Sequence, residues 1–508
     1  MSLSAQSTAV STLLEATLEA ESADSAESTE ASAPTTPCSH DRGHITDSFL
    51  LGDRYATPES RAIFCDTCRI QRWLTVEAQL SLAQADLGII PAWAAERIAE
   101  AATVEKVDPE EVKKATLESG HSLVGLLRVL ERACDGEAGQ YIHFGTTTQD
   151  IQDTAQSLEL RDVFDELERL LDETITHVAR LADQHAETLA LGRTHAQPAL
   201  PITFGLKAAS WLDELLRHTE RLREARERVL VAQLFGGAGT MAGLGEQSQE
   251  LLARFAERLG LHAPLIGWHV ARDRIVEYAS VLAMVAGTMG RAADEIRTLS
   301  RQEFGEVSEA WSFGKVGSST MPHKRNPERC EQVVVMARLA AAQVSTALTA
   351  MIGDHERDSR SLRLEWACVP DVAHHTLAAC EIFRQIVSGL IVHEDRMREN
   401  VTAVAHQVTT EALMLTLAQR LGKQAAHHVV YEISQTAREE GVPFREVLER
   451  HPKVVSELAD LDLDHVLDPA EHLGASAALT RDVTRKAADY LHGRGTGTLP
   501  PQKGTAHS

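Results

Sequence analysis

The stretch PITFGLKAASWLDELLRHTERLREARERVLVAQ, running from Pro201 to Gln233, decides the fold. It has no proline after its first residue and no glycine besides Gly205. Leu206, Trp211, Leu215 and Leu222 recur at roughly helical spacing. At ~1.5 Å per residue the stretch predicts one rod of roughly 50 Å. Similar tracts run over 150–187, 272–303, 326–351 and 369–394. Several such rods in succession predict an all-α chain built on a long antiparallel bundle. No alternating apolar run is bounded by Asn-Gly or Asp-Gly, so hairpins are not expected. Gly145, the cluster Gly236-Gly237-Ala238-Gly239, and Gly314 to Gly317 interrupt the helical tracts. Polar, reactive residues gather at those interruptions.

Composition narrows the function. Acidic residues outnumber basic ones, 74 to 50, for a formal charge of −24. A surface of that sign disfavours nucleic acid and anionic lipid as ligands. Aromatics are only 4% of the 508 residues, so the apolar mass is Ala, Leu and Val, a palette suited to helix packing. Seven cysteines at irregular spacing do not form the framework of a small secreted domain, and a reducing cytosol is the expected compartment. No run of about 18 uncharged apolar residues predicts a membrane span. The first basic residue is Arg42, so no secretory leader is expected. Residues 1–45 are Ser, Thr, Ala and Glu with little else, and read as a disordered acidic tail. Residues 493–508 read as a second flexible tail.

The most informative segment is Gly317-Ser318-Ser319-Thr320-Met321-Pro322-His323-Lys324-Arg325-Asn326-Pro327. Pro322 and Pro327 forbid a regular helix across it, and Gly314 and Gly317 let the backbone swing. By composition it is either a closing lid or an ordinary polar loop. The pattern G-S-S-x-M-P-x-K-x-N-P resembles the signature of the fumarase/aspartase superfamily. Two more blocks stand in the expected order: His143-Phe144-Gly145-Thr146-Thr147-Thr148-Gln149-Asp150 and Gly192-Arg193-Thr194-His195-Ala196-Gln197. The resemblance spans about Arg54 to the 480s.

That resemblance implies a three-domain subunit: an N-terminal helical domain (46–149), a central bundle carrying the signature loop 314–327 (150–395) and a C-terminal helical domain (396–492). It implies a homotetramer with a shared helical core, in which three protomers build each site. It implies β-elimination from a small substituted succinate with release of fumarate, and no cofactor or metal. Ser318 would be the general base that takes the proton next to a carboxylate. Lys324 and Asn326 would support the growing charge, with Ser319 as a hydrogen-bonding neighbour. His195 would give or relay a proton to the leaving group, oriented by Glu331. Thr147, Thr148 and Gln197 would bind the substrate.

The N-terminal block Arg54-Tyr55-Ala56-Thr57-Pro58, followed by Ile63-Phe64-Cys65-Asp66, resembles that of adenylosuccinate lyases and 3-carboxy-cis,cis-muconate cycloisomerases. Arg54 and Tyr55 join the candidate substrate-binding residues on that ground. Adenylosuccinate lyases carry Arg-His-Asp where this chain has Gly120-His121-Ser122, and Glu-Arg where it has Glu365-Trp366. His121 is retained as a binding residue, but the lost arginines place adenylosuccinate below the other substrates. Trp268-His269 and Glu365-Trp366 resemble the cycloisomerase branch. Arg357, Arg360 and Arg363 are three apart, and on a helix would lie near one face. They read either as a solvated basic stripe or as an anion site, for which Arg357 is the candidate. The branch includes nitrosuccinate lyases, and nitrosuccinate going to fumarate and nitrite is the preferred specific reading. A muconate cycloisomerase, an adenylosuccinate lyase and a catalytically inactive structural homologue are the alternatives.

Other signals carry less. Cys65 and Cys68 form a C-x-x-C pair with Cys38 and His40 upstream, but the spacing does not make a zinc site. His374-His375 and His427-His428 lack zinc-protease spacing and read as structural.

Overall fold

The computed structural model describes residues 43–134, 136–311, 317–457 and 462–494. Most of both predicted tails and part of the signature loop, including Gly314, lie outside them.

Five long helices form the centre: α1 (Thr148–Gln184), α2 (Phe204–Val229), α3 (Asp273–Leu299), α4 (Glu328–Ala350) and α5 (Ser359–Ser388). With 37 residues α1 reaches about 55 Å. Helix α4 packs against α3 and α5, while α1 packs against α2 and α5. In α2 the buried face is Ala208, Trp211, Leu212, Leu215, Leu216 and Leu222, the 3.6-residue period read from the sequence. Thr203 starts that helix by accepting the Leu206 N–H on Oγ1 at 3.1 Å.

One apolar core runs from Ile63 through the bundle to Leu491. The N-terminal helix Asp66–Asp86 packs on α1, and the last helix, Ser476–Gly493, returns to α1 and α2. A second, smaller core gathers Leu413, Leu417, Val429, Ile433, Phe444 and Val447. Helix α4 is, among the described residues, the one helix long and apolar enough to cross a membrane, because Ala and Val dominate it despite Arg338. Only a third of that stretch is buried within this chain.

Two expectations need correction. The rod read from Pro201 begins only at Phe204, because residues up to Thr203 belong to an antiparallel hairpin of β1 (Leu189–Thr194) and β2 (Gln197–Thr203). Its two-residue turn is His195-Ala196, with φ of 51° and 62°. These are the left-handed angles of a type I′ turn, met here without the Asn-Gly that would announce it. The rod read from Val369 begins ten residues earlier, at Ser359, and carries Pro370 inside it. Asp358 caps it, accepting the Arg360 N–H at 2.9 Å.

Candidate active site

The first motif block builds a fixed shelf. Gly145 sits at φ 77°, and a Cβ there would run into the Gly243 carbonyl oxygen, so the chain turns where only glycine fits. Asp150, in the first turn of α1, is fully buried. Its Oδ1 accepts the Phe235 N–H (3.0 Å) and His269 Nε2 (2.9 Å). Its Oδ2 accepts the Gly236 N–H (2.9 Å), the Thr147 N–H (3.2 Å) and the Thr146 hydroxyl (3.0 Å). One carboxylate thus ties the threonine block to the Gly236 loop.

A second buried network lies one turn along. Arg272 forks onto Asp153, through Nη1 (2.9 Å) and Nη2 (3.0 Å), and onto Glu365 through Nε (2.7 Å). All three side chains are fully buried. Burial raises the Glu365 carboxyl above its ordinary range, against the pull of Arg272. The guanidinium also lies 4.7 Å over the Trp268 ring. This network joins α1, α5 and the Trp268 segment behind the shelf.

In front of the shelf is a cavity of about 400 Å³ lined by His121, Thr148, Gln149, Arg357, Arg363 and Trp366. Arg357 donates from Nη1 to Thr147 Oγ1 at 3.0 Å and from Nη2 to the Gly236 carbonyl at 3.1 Å. His121 caps the helix Ser122–Ala133, its Nδ1 accepting the Val124 N–H at 3.4 Å. In the neutral ring that leaves Nε2 as the donor. Four predicted residues, Thr147, Thr148, His121 and Arg357, are therefore brought together. Arg360 is not among them. It turns outward onto Asp354 and Asp358, so the arginine triplet divides into two cavity residues and one solvated ion pair. Arg357 precedes the helix rather than sharing a face with the other two.

The signature loop is a separate group. Ser318 Oγ accepts the N–H groups of Thr320 (3.3 Å) and Met321 (3.1 Å). Two backbone donors converging on one hydroxyl oxygen suit that oxygen to negative charge. Asn326 Nδ2 donates to the Gly317 carbonyl at 2.7 Å, stapling the two ends of the loop. A Cβ at Gly317 would meet the Lys324 carbonyl and come within 2.8 Å of the Trp311 ring. Ser319 and Lys324 are exposed. Arg54 docks at the foot of the loop, Nη1 to Glu328 at 3.1 Å, while its own carbonyl takes the Gln332 amide at 2.9 Å. Tyr55 is half-buried against the main core.

His195 and Gln197 form a third group, exposed at the hairpin tip. Among the described residues no hydrogen bond or ion pair joins His195 to Glu331, which is exposed on α4. Within one chain the predicted site residues therefore fall into three groups. Sequence reasoning missed Asp150, Asp153, Arg272, Gln149 and Trp366 as parts of the shelf and cavity. Asp150 had a signal: a threonine followed three residues later by a carboxylate, before a helical run.

Comparison with known proteins gives the family. Residues 53–344 match the family described as Lyase, and residues 407–483 match the adenylosuccinate lyase C-terminus. The chain belongs to the fumarase/aspartase superfamily of lyases. It is 41% identical to N-acetyl-S-(2-succino)cysteine lyase of Dickeya dadantii, over 87% of this chain and 98% of that one. It is 40% identical to 3-carboxy-cis,cis-muconate cycloisomerase of Pseudomonas aeruginosa, over 82% and 92%. Among solved structures it resembles a fumarate lyase from Mesorhizobium sp. BNC1, with a TM-score of 0.79, 36% identity, and coverage of 85% and 98%.

Proposed function

We propose that this chain releases fumarate from a C2-substituted succinate by β-elimination. The observation that carries the reading is the Ser318 oxygen cradled by the Thr320 and Met321 N–H groups, on a loop of the lyase signature. Ser318, as alkoxide, takes the proton from the carbon beside one carboxylate. The electron pair moves into that carboxylate, and the bond from the β carbon to the leaving group breaks. Lys324 and Asn326 meet the added charge when the loop closes. Thr147, Thr148, His121 and Arg357 hold the substrate carboxylates, and His195 serves the leaving group.

His195 and Glu331 do not line the cavity within one chain, which supports a site completed by other copies, as a homotetramer would allow. The exposed Val335 and Leu348 of α4, with Met351 and Ile352 just beyond it, give that assembly an apolar surface.

For the leaving group we put a thiol first, because a relative at 41% identity is named for cleaving an S-succinylated cysteine. A thiolate leaves with little need of an acid. Nitrite is the second reading, favoured by the two guanidinium groups, Arg357 and Arg363, that line the cavity. The test is to offer an S-(2-succino)cysteine derivative, nitrosuccinate, adenylosuccinate and 3-carboxymuconate in parallel, with products followed by mass spectrometry. Fumarate in step with one equivalent of thiol or nitrite is the expected result. Lactone from the muconate, with no fumarate from any succinate, would reject the proposal.

Arg357→Met is expected to raise KM for the accepted succinate by about 10–100-fold, the equivalent of a lost charged hydrogen bond of roughly 1.5–3 kcal/mol. Initial rates across a substrate series measure it. An unchanged KM would remove Arg357 from the binding set.

A further inference from the structure

The C-x-x-C pair takes no part in the chemistry above, and its placement is specific. Cys65 is the N-cap of the helix Asp66–Asp86, and its Sγ accepts the Cys68 N–H at 3.4 Å. Cys68 falls in the first turn of that helix, three residues on. Cys65 itself is extended, outside the helix, and its Sγ folds back over the first turn onto the Cys68 backbone, which sets the outer sulfur beside the inner residue. The Cys65 side chain is exposed and Cys68 is half-buried behind it. Burial and a hydrogen bond to Cys65 push the Cys68 thiol up, so the inner sulfur keeps its proton while the outer one faces solvent.

Two further features favour reaction at this pair. The start of the helix leaves its first N–H groups without helical partners, and one of them, that of Cys68, points at the Cys65 sulfur. Arg72, one turn inward, adds a full positive charge that favours ionised Cys68. The contrast with the rest of the chain is sharp. Cys330, Cys368 and Cys380 are almost wholly buried in the bundle, and burial pushes the Cys368 thiol up to about 12. Among the described residues Cys65 is the only exposed cysteine. The pair also borders functional ground: Asp66 and Arg69, between and just after the two cysteines, line a second cavity of about 260 Å³. It shares Ser122, Gln152 and Trp366 with the candidate active site.

We infer that Cys65 and Cys68 form a redox-active dithiol, a site of reversible disulfide formation with low-molecular-weight disulfides. Cys65 thiolate attacks one sulfur of the small disulfide, forming a mixed disulfide and releasing the first thiolate. Cys68 then loses its proton and attacks the Cys65 sulfur, expelling the second thiolate. The protein loses two electrons and two protons, and the small disulfide becomes two thiols.

The chain supplies a convenient probe. Arg61 and Arg69 bracket Ala62-Ile63-Phe64-Cys65-Asp66-Thr67-Cys68, so trypsin frees one short peptide holding both cysteines and no other. The full-length protein is equilibrated in glutathione buffers of rising oxidised fraction, alkylated, digested and mapped. The expected result is a peptide lighter by two hydrogens that escapes alkylation, with dithiothreitol restoring two alkylatable thiols. In Cys65→Ser the same treatment should leave Cys68 mostly alkylatable, while circular dichroism matches the parent protein. Full double alkylation of the wild-type peptide in oxidised glutathione would overturn the inference. So would a stable single glutathione adduct without ring closure, or protection of both thiols by zinc that a chelator reverses.

Discussion

Replacing Ser318 by alanine is expected to lower turnover by about 10²–10⁴-fold, the usual contribution of a positioned general base. Helical content and assembled mass should not change. The oxygen removed is the acceptor for the Thr320 and Met321 N–H groups, at 3.3 and 3.1 Å. Those donors lie on an exposed loop, where water can replace it, so the stability cost should stay within about 1 kcal/mol. The contrast is Ser319→Ala. Its side chain is exposed and makes no hydrogen bond among the described residues, so a loss of less than about tenfold is expected, below the contribution of a base. Single-turnover measurement of deuterium loss from the substrate carbon separates the two. A Ser318→Ala protein that still exchanges that deuteron near the parent rate would place the base elsewhere.

The bundle was legible because helix periodicity is a local property. Leu206, Trp211, Leu215 and Leu222 do face the core, and four of the five long tracts began and ended within about four residues of the helices observed. The hairpin was not legible. Its turn uses His195 and Ala196 at positive φ, a conformation costing about 1–2 kcal/mol for a residue with a Cβ. Such a cost is tolerated where neighbouring structure enforces it, and the sequence of the turn does not advertise it. Thr147, Thr148, His121 and Arg357, which meet at the cavity, could be named from the sequence, but their contacts could not. The arginine triplet shows why: beyond the candidate Arg357, spacing could not tell Arg360 from Arg363, yet Asp354 and Asp358 draw Arg360 away from the cavity that Arg363 lines. The buried carboxylates were the largest omission. Asp150 and Asp153 look like ordinary polar residues at the start of a helix, and besides their local bonds each has partners 80 or more residues away in sequence.

Asp150→Ala is expected to cost about 3–5 kcal/mol of stability, the range for breaking a buried charged network from one side. Five donors converge on this carboxylate. Two of them, the N–H groups of Phe235 and Gly236, belong to a loop with no helix or sheet ladder of its own. A third, Thr147 N–H, begins α1. Removing the acceptor leaves buried donors unpaired and lets the two segments part. Arg357 bridges the same two segments through Thr147 Oγ1 and the Gly236 carbonyl, so the cavity should lose its positive wall as the shelf loosens. Asp150→Asn tests the charge with the shape nearly kept. Its amide nitrogen would point a donor at donors on one side, so it should recover little of the loss. Urea unfolding monitored by circular dichroism gives the stability of all three proteins, and KM reports the state of the cavity. An alanine variant within about 1 kcal/mol of the parent, with KM unchanged, would mean that Arg357 alone holds the threonine block to the Gly236 loop. The Arg357→Met protein would then be the one to lose stability, and the order of the two effects distinguishes which charge organises the site.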